Sequence, residues 1–86
     1  MSNIALPTLQ QGTSGPAVAL LQRLLVLYGY DTQLGSAGVD GVFATSTKEA
    51  VLQFQRDQNL AAKDGIVGPI TWRTLTYPAG TTPPSS

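Results

Sequence analysis

The chain has no cysteine and no histidine in 86 residues. Without cysteine, no disulfide can staple the domain and no thiolate can hold a metal. Without histidine there is no imidazole acid or base near neutral pH, and no Ser-His or Cys-His dyad. No cofactor or metal motif replaces them, so none is expected. Charge is also scarce: five basic and five acidic residues give a formal net charge of zero. Arg23, Lys48, Arg56, Lys63 and Arg73 form no run, whereas nucleic-acid binding draws much of its affinity from clustered cations. No apolar stretch is long enough to span a membrane. Residues 1–7, MSNIALP, show neither the basic nor the apolar region of a secretory signal. What remains is one domain held by packed apolar side chains, and a chain this short buries only about 60% of its unfolded surface.

The apolar residues recur at helical spacing. Val18, Leu21, Leu24, Leu25 and Tyr28 form one stripe over residues 16–28, and Leu20 and Leu27 are expected to widen it. Ser14-Gly15-Pro16 starts this helix with a capping hydroxyl and a first-turn proline. Gly29 ends it in the left-handed conformation, with Tyr30 folding back. A second helix spans 45–58, with Thr47, Ala50, Val51, Phe54 and Gln58 on one stripe. Asn59-Leu60 repeats the ending of Gly29-Tyr30. Ser46 with Glu49 makes a capping box that would start this helix at Thr47. An internal echo would start it at Thr45, and both starts stay open. A third helix runs from Pro69 to about Leu75. In that echo, Asp40-Gly41-Val42-Phe43-Ala44-Thr45-Ser46-Thr47 matches Asp64-Gly65-Ile66-Val67-Gly68-Pro69-Ile70-Thr71 in character. The fold expected is all-α, a small three-helix bundle with Asp-Gly turns preceding helices two and three. Residues 1–8 read as a lead-in and 9–77 as the domain. Residues 78–86 form a Pro/Thr/Ser-rich tail or linker with too little apolar content to bury a core.

The residues that punctuate these helices form an ordered set. Gln11-Gly12-Thr13-Ser14-Gly15-Pro16 leads to Val18 and Leu21-Gln22, then Gly29-Tyr30. Asp40-Gly41-Val42-Phe43, Thr47 and Ala50-Val51-Leu52-Gln53-Phe54-Gln55 follow. Leu60, Asp64-Gly65-Ile66-Val67-Gly68-Pro69, Thr71-Trp72 and Leu75 complete it. Across about residues 9–75 this order and spacing resemble the bacterial peptidoglycan-binding domain family. The resemblance implies a non-catalytic, monomeric three-helix module. Such a module holds the glycan or stem peptide of murein and localises an attached or partner cell-wall hydrolase or transpeptidase. It implies a cell-envelope location, periplasmic or extracellular, and neither nucleic-acid nor membrane binding. The alternative is a protein-interaction or pro-domain-like docking module without murein binding. Two departures from the family pattern stand out: Ala44 where glycine is usual, and a longer loop at Asp31–Val39. The related pro-domain of matrix metalloproteases inhibits through a cysteine, which this chain lacks.

Peptidoglycan offers sugar faces and stem-peptide carboxylates, so a site for it needs rings and hydrogen-bond donors. Tyr30, Asp31, Thr45, Thr47, Arg56 and Trp72 are the candidates for binding. Tyr30 offers a ring and a hydroxyl, Asp31 a polar group beyond the helix end, and Trp72 an indole N–H at the edge of the core. Thr45 and Thr47 crowd a helix start whose free N–H groups suit a carboxylate. Arg56 could receive another, although it lies about three turns along its helix. If helices one and two run antiparallel, Tyr30 and Thr45 share a shallow groove. Asp40 and Asp64 read as turn residues. Gln22 and Gln55 read as braces that hold the Asp-Gly turns by their backbone.

Overall fold

The computed structural model describes residues 7–61 and 63–76. The expected tail at 78–86 and most of the lead-in lie outside them. Three longer helices, α1 (Pro16–Leu27), α3 (Thr45–Asp57) and α4 (Pro69–Thr76), form the bundle. Between the first two, the supposed loop contains a one-turn helix, α2 (Asp31–Leu34), and a 3-10 turn at Gly35–Ala37. Helical periodicity does not reveal so short an element, but its placement has a cause. Leu34 is buried and α2 packs on α3, so this segment closes one side of the core.

The helix ends are local devices. At the end of α1, Tyr30 N–H donates to Leu25 O at 2.9 Å and Gly29 N–H to Val26 O at 2.9 Å. At the end of α3, Leu60 N–H donates to Gln55 O at 3.0 Å and Asn59 N–H to Arg56 O at 3.0 Å. Both are Schellman closures, and both need a left-handed residue. Gly29 supplies it at φ 93° and Asn59 at φ 53°.

The starts follow a different logic. Gly15 takes the N-cap of α1 and Ala44 that of α3, and neither start has a side-chain cap. The Ser14 hydroxyl therefore does not cap α1, and the Ser46–Glu49 box goes unused. Backbone pairing sets these starts instead. An N-terminal arm, residues 7–15, exchanges Gly12 N–H to Phe43 O (2.9 Å), Phe43 N–H to Thr13 O (2.9 Å) and Gly15 N–H to Gly41 O (2.9 Å). Once the arm fixes residues 41–43, the helix begins at Thr45 and the capping box is two residues out of register. Ala44 sits at φ −101°, an ordinary value for any L-residue, so glycine is not required there.

Val18, Leu21 and Leu25 of α1 meet Ala50, Val51 and Phe54 of α3 in a common core, with Phe43, Val67, Trp72 and Leu75. Leu20 and Leu27 do not widen the buried stripe: Leu20 is exposed and Leu27 is 81% exposed. Leu20, Val26 and Leu27 instead leave the outer face of α1 partly apolar. Gln22, midway along α1, meets Thr47 near the start of α3. Beyond the end of α1, Tyr28 and Tyr30 meet Phe54 and Asp57 near the end of α3. The two helices therefore run in the same sense, not antiparallel. The chain returns through the segment containing α2 before starting α3.

The arm also reaches the second half of the domain. Leu9 and Val67 exchange backbone hydrogen bonds at 3.0 and 2.8 Å, and Trp72 Nε1–H donates to Pro7 O at 2.7 Å. Tyr28 joins the ends of α1 and α4 by donating to Thr74 O (3.0 Å) and Leu75 O (3.1 Å).

Candidate functional site

Two buried glutamines organise the two Asp-Gly turns. Gln22 accepts from the N–H groups of Asp40 (2.9 Å) and Gly41 (2.8 Å) through Oε1. Its Nε2 group donates among Asp40 Oδ1 (3.0 Å), Val42 O (3.1 Å) and Thr47 Oγ1 (2.9 Å). Gln55 repeats the arrangement at the second turn. Its Oε1 accepts from Gly65 N–H (2.9 Å), and its Nε2 donates to Ile66 O (2.9 Å) and Thr71 Oγ1 (3.2 Å). Each aspartate closes its own turn: Val42 N–H donates to Asp40 Oδ1 and Ile66 N–H to Asp64 Oδ1, both at 3.0 Å. Gly41 and Gly65 both lie at φ 76°, where a side chain would be strained. The braces read from the sequence are thus present. Among the described residues no buried side-chain nitrogen or oxygen lacks a partner.

These networks absorb several candidate residues. Thr47 is buried, accepting from Gln22. Trp72 is buried with its indole N–H committed to Pro7 O. Tyr30 is only 9% exposed, stacks edge-on against Phe54 at 6.0 Å, and donates its hydroxyl to Asp57 Oδ2 at 2.5 Å. Thr45, Asp31 and Arg56 are exposed. Thr45 Oγ1 accepts from Gln11 Nε2 at 3.1 Å, so the arm reaches over the start of α3.

The candidates do not form one groove. Tyr30 bonds Asp57 at the far end of α3 from Thr45, about 18 Å along a helix that rises 1.5 Å per residue. Arg56, beside Asp57, lies at the Tyr30 end. Parallel helices thus separate Thr45 and Thr47 from Tyr30 and Arg56.

The Tyr30–Asp57 bond shifts both groups. Burial, then the hydrogen bond and the charge of Asp57, push the Tyr30 hydroxyl up to about 12 from its ordinary 10.0. The Tyr30 bond, then one from Gln53 Nε2 at 2.9 Å, holds Asp57 below the usual carboxylate value of 3.8. Gln22 and the Val42 N–H do the same for Asp40. A raised Tyr30 value stabilises the fold fully below pH 10, and that stability is lost as pH rises toward 12. Depressed Asp57 and Asp40 values contribute stability above about pH 3.8 that is lost as pH falls. A plot of melting temperature against pH is expected to be flat between these limits and to fall on both sides. Tyr30→Phe is expected to remove the alkaline fall and soften the acid one. An unchanged alkaline limb in that variant would show that Tyr30 does not carry it.

A surface pocket of about 150 Å³ lies over the second turn, lined by Asp64, Ile66, Gly68, Pro69, Ile70 and Thr71. Sequence reasoning treated these residues only as turn and helix start. The available signal was Ile70, an apolar residue off the buried stripe of Thr71, Trp72 and Leu75.

Residues 14–75 match the peptidoglycan binding domain family. Among solved structures, the SleB N-terminal domain superposes with a TM-score of 0.73 at 33% identity, covering 85% of this chain and 93% of that one. A peptidoglycan-binding protein from Clostridioides difficile, in complex with glutamine hydroxamate, superposes with a TM-score of 0.70 at 38% identity, covering 81% and 40%. The zinc D-Ala-D-Ala carboxypeptidase of Streptomyces albus G is 43% identical over 68 residues, covering 79% of this chain and 26% of that enzyme. The chain belongs to the peptidoglycan binding domain family. It spans about a quarter of the carboxypeptidase, so the similarity concerns one module of a larger enzyme.

Proposed function

We propose that this chain is a non-catalytic module that binds bacterial peptidoglycan and holds a cell-wall enzyme, attached or partner, at its polymer. The observation that carries this reading is the family match over residues 14–75, together with the likeness to the SleB N-terminal domain over nearly its whole length. The similarity to part of a carboxypeptidase supports pairing with a hydrolase and a place of action at the cell wall or outside the cell. The side-chain chemistry agrees with binding rather than cleavage. The buried amides and threonines are spent on one another and on the backbone of the turns, as positioning groups are, and the domain contains no histidine.

Affinity for one repeat unit is expected to be weak, because a shallow site on a small domain buries little area; repetition along the polymer compensates. Co-sedimentation with purified sacculi, against cellulose and chitin, tests the reading. The protein is expected to pellet with sacculi alone. The partly apolar outer face of α1, with Leu27 81% exposed, favours protein docking as the second reading. Failure to pellet with any sacculus preparation would transfer the assignment to it.

A further inference from the structure

The two Asp-Gly turns share one plan and differ in what lies outside them. At the first, Gln11 bonds Thr45. In the echo, Thr45 corresponds to Pro69, which has no hydroxyl to receive such a contact, and beside Pro69 the pocket opens. Its walls include the apolar side chains of Ile66, Pro69 and Ile70, and Ile70 is 56% exposed. Asp64 is the only charged residue in the lining. One carboxylate oxygen accepts from Ile66 N–H, and no described residue bonds the other. Lys48, from α3, lays its stem against Gly65 and is not part of the lining.

We infer that this pocket takes an aliphatic chain ending in a free ammonium group with no carboxylate beside it, which on murein is the side chain of a stem-peptide lysine. The inference rests on the murein-binding reading. Methylene groups fit the apolar walls and the ammonium meets the free oxygen of Asp64. The lining holds no aromatic ring on which a sugar face could stack. The full negative charge of Asp64 outweighs the roughly half positive charge at the start of α4, which shares the lining, so the pocket disfavours a carboxylate. Amide formation at the same amine, as in a cross-link, removes the charge, so the pocket distinguishes uncross-linked stems from cross-linked ones.

The test is a titration, followed by amide NMR shifts, of stem peptides with the lysine side-chain amine either free or acetylated. Wild type is expected to prefer the free amine about twofold to fivefold, the range for an exposed ion pair. Asp64→Asn keeps an oxygen for Ile66 N–H, so the turn and the melting temperature should hold while the preference disappears. Asp40→Asn, the same change at the closed turn, should leave the preference intact. A preference that survives Asp64→Asn, or sacculus binding by wild type with no preference at all, overturns the proposal. If no sacculus or stem peptide binds, the murein reading itself fails. N-acetyl-lysinamide then judges the pocket alone: shifts at residues 64–71 that vanish in Asp64→Asn uphold its ammonium chemistry, and their absence overturns it.

Discussion

Replacing Gln22 with alanine is expected to destabilise the domain by about 3–5 kcal/mol. The side chain is buried and serves both sides of one turn. Its removal strands the N–H groups of Asp40 and Gly41 and takes a donor from Val42 O and Thr47 Oγ1. Each buried group left unpaired costs about 1–3 kcal/mol, and the loss of side-chain volume adds a cavity. Small domains have total stabilities of about 5–10 kcal/mol, so the variant should be largely unfolded at 37 °C. Gln22→Glu is no remedy, because it keeps the acceptor but sets a second carboxylate against Asp40. Gln55→Ala should cost less, since Gln55 accepts from one turn N–H where Gln22 accepts from two. Urea midpoints of the three variants give the order. A Gln22→Ala midpoint equal to wild type would mean that water or rearrangement satisfies the turn.

The second large effect concerns the arm. The family match begins at residue 14, yet residues 7–13 carry structure that the rest of the domain uses. A chain starting at residue 14 loses Leu9, which is 1% exposed, and the paired bonds of Leu9 with Val67. It also loses the bonds that Gly12 and Thr13 make with Phe43, and it leaves the Trp72 indole without Pro7 O. Burying one leucine contributes about 1.5–3 kcal/mol and each net hydrogen bond about 0.5–1.5 kcal/mol. Their sum is comparable with the whole stability of a domain this size. The truncated chain is expected to show no cooperative thermal transition. A sharp transition in the residue-14 chain would show the arm to be ornament.

The arm also shows where sequence reasoning reached its limit. Features fixed within a few residues were legible. Gly29-Tyr30 and Asn59-Leu60 announce their helix ends because a left-handed residue and a following apolar one suffice for that closure. Gln22 and Gln55 were legible as braces because each directly follows a core residue, Leu21 or Phe54, in a chain with two Asp-Gly turns to hold. Features fixed across the chain were not. Periodicity gives a helix a face but no direction relative to its neighbour, and the parallel run of α1 and α3 depends on how residues 28–44 cross back. That crossing includes α2, anchored by Leu34, which is too short to produce a period. The proposed groove of Tyr30 and Thr45 failed for this reason. Tyr30 offered a ring and a hydroxyl on paper, but its partner Asp57 lies 27 positions away. The exposure of Leu20 and Leu27 was hidden in the same way, because an apolar residue flanking a stripe looks alike whether or not a neighbour covers it.

The most direct test of the account follows one sample through two readouts. Isotope-labelled protein is titrated with soluble muropeptides while amide shifts are recorded, and the muropeptides are then recovered and weighed by mass spectrometry. Progressive, saturable shifts that include residues 64–71 are expected, with every muropeptide recovered at its starting mass. Saturable binding followed by cleaved muropeptides would contradict the non-catalytic assignment. An absence of shifts at millimolar ligand, with no retention on intact sacculi, would contradict peptidoglycan binding itself.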